Sequence, residues 1–172
     1  MNSRAFAVGV GVNLGDRTAQ FDLAMRLLER TPGVEVMGAA SPVRPRPVVP
    51  EGEEDRHPWY LNSVVVGVTT LSPRVLMARL LAIETAVGRR RRGRCDPRTL
   101  DLDLVVLEGV VIDEVGIQVP HPRLRGRDFV LDPLRRVLDR LERESQGHHA
   151  ASLSRGIRTS LPAGILDDVS LS

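Results

Sequence analysis

Asp101 and Asp103 lie two residues apart in Pro97-Arg98-Thr99-Leu100-Asp101-Leu102-Asp103-Leu104, a stretch that continues apolar through Val105, Val106 and Leu107. Leu alternating with Asp is the pattern of a strand, whose successive side chains point to opposite faces. Leu100, Leu102 and Leu104 are therefore expected on a buried face, with the two carboxylates together on the other. Residues two apart on a strand are separated by roughly 6.6 Å along its axis, so both acids can turn toward one cation or a pair of cations. Asp is a poor strand former and like charges on one face repel, so the arrangement costs stability unless positive charge stands there. Hard divalent cations such as magnesium favour one or two carboxylates together with phosphate oxygens. A solvated strand face that carries acids is the other reading of the spacing.

The residues around the pair bear on that choice. Arg89, Arg90, Arg91, Arg92 and Arg94 form a basic run that ends a few residues before Arg98 and the acids. Alone, such a run reads as a solvated loop or as a nucleic-acid surface. Beside a carboxylate-bound cation it suits phosphoryl transfer, whose transition state spreads negative charge over oxygens that metal and guanidinium groups stabilise. His121, held between Pro120 and Pro122, either donates to a phosphate or completes a turn. Asn62 beside Tyr60 either hydrogen-bonds a planar ligand's edge or serves a strand end. Glu84, one turn before the Arg run, reads on its own as a solvated or paired helix acid. Cys95 has no evident His partner and is given no chemical role. His148 and His149 read as solvated. No Walker A glycine loop and no kinase glycine loop occurs, so any nucleotide site is built another way.

These residues need a scaffold, and the chain length of 172 residues favours one domain. Residues 4 to 12 read as a strand ending in the turn Asn13-Leu14-Gly15-Asp16-Arg17. Asp16 then caps a helix striped by Phe21, Leu23, Ala24, Leu27 and Leu28. Val34, Val36 and Met37 suggest a second strand. Pro42, Pro45, Pro47 and Pro50, followed by an acidic run, make a long loop that is functional or disordered. Trp59 to Thr70 reads as a third strand, and Ser72-Pro73 opens a helix carrying Val75, Leu76, Leu80, Ile83 and Val87. After the acidic strand, Val110-Val111-Ile112 is expected to fold back on it as a hairpin. A closing helix is expected from about Asp132 to Glu144. The order strand, helix, strand, strand, helix, strand predicts an α+β package with helices covering a largely antiparallel sheet. Residues 1–144 form the domain in this reading, and 145–172, small and polar, a loosely held tail.

Several spaced motifs in order resemble the 6-hydroxymethyl-7,8-dihydropterin pyrophosphokinase family: Gly88-Arg89 with Arg91, then Pro97 to Asp103, Pro120-His121-Pro122, and Arg127-Asp128-Phe129-Val130-Leu131 with Pro133-Leu134. Asn13-Leu14-Gly15-Asp16 and Tyr60-Leu61-Asn62 add to the resemblance, which covers most of residues 6 to 134. It implies a ferredoxin-like fold and pyrophosphoryl transfer from ATP to a pterin alcohol, with AMP released. It further implies that Asp101 and Asp103 bind two Mg2+ ions bridging the ATP phosphates. Arg89, Arg91, Arg98, His121 and Arg127 would contact phosphates or the group in transfer, and Glu84 would lie at the nucleotide side. Tyr60 and Phe129 would sandwich the pterin ring, with Asn62 bonding its edge.

The chain departs from the family pattern at Arg44 and Arg46, at Cys95 and at Val12. A diverged paralogue acting on another heterocyclic alcohol is accordingly a second reading. A basic nucleic-acid-binding module is a third, disfavoured because aromatics make up only 3% of the chain and acids interrupt any basic face. Small-molecule substrates, with neither nucleic acid nor membrane, are the expected partners of a monomer or weak homodimer. The net charge of +2 is small, and all 24 basic residues are Arg, which suits bidentate phosphate binding. One Cys excludes an internal disulfide framework, and the start of the chain lacks a basic region followed by an apolar run. The cytoplasm is the expected compartment.

Overall fold

The computed structural model describes residues 3–13, 15–43, 61–88, 99–144 and 148–167. They form, in chain order, β1 (Arg4–Val12), α1 (Arg17–Glu29), β2 (Val34–Ala39), β3 (Leu61–Thr69), α2 (Pro73–Ala86), β4 (Leu100–Leu107), β5 (Ile112–Glu114), β6 (Ile117–Val119), α3 (Asp128–Glu144) and α4 (His148–Ser160). Four strands make an antiparallel sheet in the order β2-β3-β1-β4. With α1 and α2 as crossovers, this is the ferredoxin-like α+β arrangement expected from the order of elements.

β1 is central and buried on both faces, which is why it reads as a nearly continuous apolar run. Phe6, Val8, Val10 and Val12 pack with Ala24 and Leu28 of α1, with Leu76, Leu80 and Ile83 of α2, and with Leu100, Leu102 and Leu104 of β4. Ala5 and Ala7 point the other way and join Val64 and Val66 of β3 against α3 and α4. The small side chains of β1 thus lie on the face where two further helices approach. A register shift opposite Ala7 and Val8 leaves Val105 as an extra residue in β4. Both Val105 and Val106 then reach the α3 and α4 layer, and Leu107 returns to the α1 and α2 layer.

Local signals act much as their chemistry requires. The Asp16 side chain accepts a hydrogen bond from the Ala19 N–H at 3.0 Å and caps α1. Pro73 occupies the first turn of α2, though the Ser72 hydroxyl makes no capping bond. Helix α3 begins at Asp128, four residues before the expected start, with Pro133 inside it. The expected hairpin onto β4 does not form: β5 pairs with β6 instead, through the turn containing Gly116.

Within 145–172, read from composition as a loosely held tail, the described residues 148–167 form a helix and the turns after it. Helix α4 buries Leu153 and Ile157, and the following turns bury Leu161, Ile165 and Leu166. These residues share one apolar cluster with Leu134, Leu138 and Leu141 of α3. Gly156 lets the helix lie close against β4, since a Cβ there would come within 2.6 Å of the Glu108 carboxylate. The Gly109 N–H donates to Ser160 Oγ at 3.1 Å and ties the far end of α4 to the turn after β4.

A polar seam also joins α3 to α4. Buried Ser154 donates from its hydroxyl to Glu142, and Arg158 Nε donates to Glu142 Oε1 at 3.1 Å. The Ser154 hydrogen bond holds the Glu142 carboxyl below its ordinary range, with Arg158 adding to the effect and burial opposing it. A carboxyl whose pKa is lowered on folding contributes stability above its unfolded value, and that contribution is lost as pH falls through the folded value. The difference in thermal midpoint between the native chain and Glu142→Gln should therefore be largest near neutrality and vanish on acidification below the ordinary value of 4.5. Melting both proteins across that range checks it; a constant difference would show that Glu142 acts through packing alone.

Candidate active site

β4 presents its two acids as the alternation requires. Leu100, Leu102 and Leu104 are buried at 0%, 2% and 4% exposure, whereas Asp101 and Asp103 are half-buried on the opposite face. Across the ladder, Asp101 stands opposite Gly11 and Asp103 opposite Gly9 of β1. Two glycines leave the sheet beside both carboxylates without side chains.

Glu84 supports this strand from beneath. It is 1% exposed, and its Oε1 accepts a hydrogen bond from the Leu102 N–H at 2.8 Å. That donor belongs to the residue between the two acids, on an edge strand paired only with β1 in the sheet. Of the two readings of this helix acid, solvated or paired, the structure shows the paired one: a buried acceptor for an N–H of β4. Its first recognisable effect is to hold the backbone that carries Asp101 and Asp103.

His121 and Arg127 converge on Asp103. Arg127 Nη1 donates to Asp103 Oδ2 at 3.0 Å, and His121 Nε2 lies 3.9 Å from the same oxygen. The histidine is anchored by its backbone, whose N–H donates to the Val105 carbonyl at 2.9 Å across a turn with a cis Val119-Pro120 bond. Its Nδ1 accepts from the Arg123 N–H at 3.2 Å, which leaves Nε2 to carry the proton of the neutral ring and turn it toward Asp103. Burial is the main force holding the imidazole below its usual pKa. Arg127 and Arg123 act in the same direction, and Asp103 and Asp101 oppose them.

Phe129, at the start of α3, is 38% exposed, and the Arg127 guanidinium lies 5.7 Å from its ring centroid. Asn62 is buried at 9% and fixed by a two-way backbone bridge to Val43. It stands opposite Gly11, so Asn62, Gly11 and Asp101 follow one another across β3, β1 and β4. The structure thus brings Asp101, Asp103, His121 and Arg127 together and sets Asn62 two strands away on the same ladder. Tyr60, Arg89, Arg91 and Arg98 lie outside the described residues, as do Arg44, Arg46 and Cys95.

A cleft of about 190 Å³ opens beside Asp103 and His121, lined also by Met77, Ile117, Gln118 and Val119. None of these four carries a chemical signature in the sequence, since apolar side chains and hairpin backbone form the wall. Among the described residues no group of three or more His, Cys, Asp or Glu gathers into a cation cage. The pair of hard carboxylate oxygens beside an open cleft instead has the donor chemistry that magnesium takes when phosphates complete its shell. Among the described residues, no helix is long and apolar enough to cross a membrane.

The comparisons with known proteins agree with this geometry. Residues 7–139 match the family described as 7,8-dihydro-6-hydroxymethylpterin-pyrophosphokinase. The chain is 36% identical over 135 residues to the 2-amino-4-hydroxy-6-hydroxymethyldihydropteridine pyrophosphokinase of Methylorubrum extorquens, covering 78% of this chain and 82% of that one. Its identity to the Bacillus subtilis protein of the same name is 36% over 145 residues, with 84% of each covered. The Pseudomonas aeruginosa protein of that name is 37% identical over 127 residues, 74% of this chain and 76% of its own. Helix α4 lies beyond the matched stretch. Matched over most of its length and carrying its acids, histidine and arginine where the motifs place them, the chain belongs to the 7,8-dihydro-6-hydroxymethylpterin-pyrophosphokinase family.

Proposed function

We propose that this chain transfers the pyrophosphoryl group of ATP to the hydroxymethyl oxygen of 6-hydroxymethyl-7,8-dihydropterin, with Asp101 and Asp103 holding two magnesium ions at the ATP phosphates. The observation that carries the reading is the pair of carboxylates side by side on β4, with Arg127 and His121 converging on Asp103. In the reaction, the hydroxymethyl oxygen bonds to the β-phosphorus, the bond from that phosphorus to the α-phosphate oxygen breaks, AMP leaves, and the hydroxyl proton is lost. Magnesium, when bound, neutralises charge on the phosphate oxygens.

The protein's part is placement and electrostatics. Arg127 lies close enough to Asp103 to move from the carboxylate to a phosphate oxygen, and the Nε2–H of neutral His121 is a donor at the same place. Glu84 holds the strand rather than the nucleotide itself. Arg89, Arg91 and Arg98 take phosphate roles by their places in the motif. Phe129 and Tyr60 stack on the pterin ring, and Asn62 bonds its edge. The cleft between Asp103 and the β5-β6 hairpin receives the nucleoside side of ATP.

Thermal shift tests the adjoining of two sites. An ATP analogue with magnesium and the pterin, added together, should stabilise the chain by more than the sum of their separate effects. Stabilisation by the analogue with none from the pterin would favour a paralogue acting on another alcohol.

A further inference from the structure

Gly11 is the one residue that separates Asn62 from Asp101. It pairs with Asn62 on β3 and with Asp101 on β4, so a side chain at this position would stand between the two. A Cβ built on Gly11 would lie 3.3 Å from Asn62 Oδ1 and 3.9 Å from Asp101 Cβ. The first distance is tighter than ordinary van der Waals contact and the second is not, so an added methyl would press on the amide and leave the carboxylate alone. Nothing about the backbone demands glycine here, because Gly11 has no positive φ and sits inside a regular strand. Gly9, the other glycine on this face, is different: its Cβ would meet Val105 Cγ2 at 3.6 Å and Asp103 Cβ at 3.8 Å, both ordinary contacts.

The Asn62 backbone has little freedom to yield. Asn62 is buried, faces Gly11 across the ladder, and is pinned to Val43 through N–H to O bonds of 2.7 and 2.9 Å. Pressure from a methyl would therefore rotate the amide about its side-chain torsions rather than shift the strand. An amide reads a heterocycle edge through one donor and one acceptor in fixed positions, and rotation mispairs both.

We propose that Gly11 is a positioning residue for the acceptor substrate, its bare Cα keeping the Asn62 amide in the orientation that meets the pterin edge. The inference rests on the proposed assignment of Asn62 to that edge. It makes Gly11 a determinant of acceptor recognition and not of ATP binding, since the contact it would disturb lies on the Asn62 side.

The test is steady-state kinetics of Gly11→Ala, Gly9→Ala, Asn62→Ala and the double variant Gly11→Ala/Asn62→Ala, each with its thermal midpoint. Gly11→Ala should raise KM for the pterin about tenfold or more while KM for ATP stays within about twofold. Gly9→Ala, which adds the same methyl to the same strand, should leave the pterin KM within about twofold. In the Asn62→Ala background the Gly11 substitution should add little, because the group it displaces is gone. Additive losses in the double variant, or an unchanged pterin KM in Gly11→Ala with the fold intact, would overturn the role. If Asn62→Ala itself leaves the pterin KM unchanged, the assignment of Asn62 fails and the inference with it; failure at Gly11 alone leaves that assignment standing.

Discussion

Asp101→Ala and Asp103→Ala should each lower turnover by about a thousandfold or more, while the protein stays folded. The size follows from the electrostatic role proposed for them: a metal clamp on transferring phosphates contributes several kcal/mol, and each ~1.4 kcal/mol is tenfold in rate. The effect on stability should be small. Both side chains are half-buried on an exposed face, and the Asp103 side chain keeps 33% of its surface in contact with solvent. Its ion pair with Arg127 is of the partly exposed kind, so losing it should cost within about 1 kcal/mol. Asp103→Ala also releases Arg127 from its partner. Activity and circular dichroism measured together separate the outcomes. Retained turnover in either variant would mean that the acids are only a solvated strand face.

Ile157→Ala should destabilise the fold markedly at a position away from the site. Ile157 is fully buried in the cluster shared by α3, α4 and the sheet. Truncating such a residue removes its transfer free energy and leaves a cavity, at a cost of about 2–5 kcal/mol. For a chain of this size each kcal/mol moves the thermal midpoint by roughly 2–4 °C, so a fall on the order of 4–20 °C is expected. Below the midpoint kcat should be near that of the native chain, since α4 contributes no side chain to the site. A midpoint unchanged within error would mean that α4 does not dock on the sheet in solution. The outcome matters because α4 lies beyond the stretch that matches the family, so its docking rests on the packing of this chain's own residues.

The acid strand was legible because its chemistry and its packing use the same period. Leu at every second position marks the buried face, and the acids between them have only one place to go. His121 was legible for a similar reason, since two prolines fix a turn around it. Helix α4 was obscured by composition: Leu153, Ile157 and Leu161 recur every four residues, but the Ser, Gly, Arg and Thr residues between them read as a polar tail. The helix is held by burial against α3, which local propensity does not report. For Glu84 the choice between a solvated and a paired acid stayed open, because a lone helix acid carries no mark of the N–H it satisfies from another element. The segment Val110-Val111-Ile112 was expected on β4, whereas Ile112 begins a strand that pairs with β6; strands of three residues are too short for alternation to choose between neighbours.

The direct measurement is the product of the reaction itself. The purified native chain, incubated with ATP, magnesium and 6-hydroxymethyl-7,8-dihydropterin, is followed for adenine nucleotides and pterin together. AMP and a pyrophosphorylated pterin should form in equal amounts. Release of ADP with a monophosphorylated pterin, or no AMP from well-folded protein that binds both substrates, would contradict the proposed reaction.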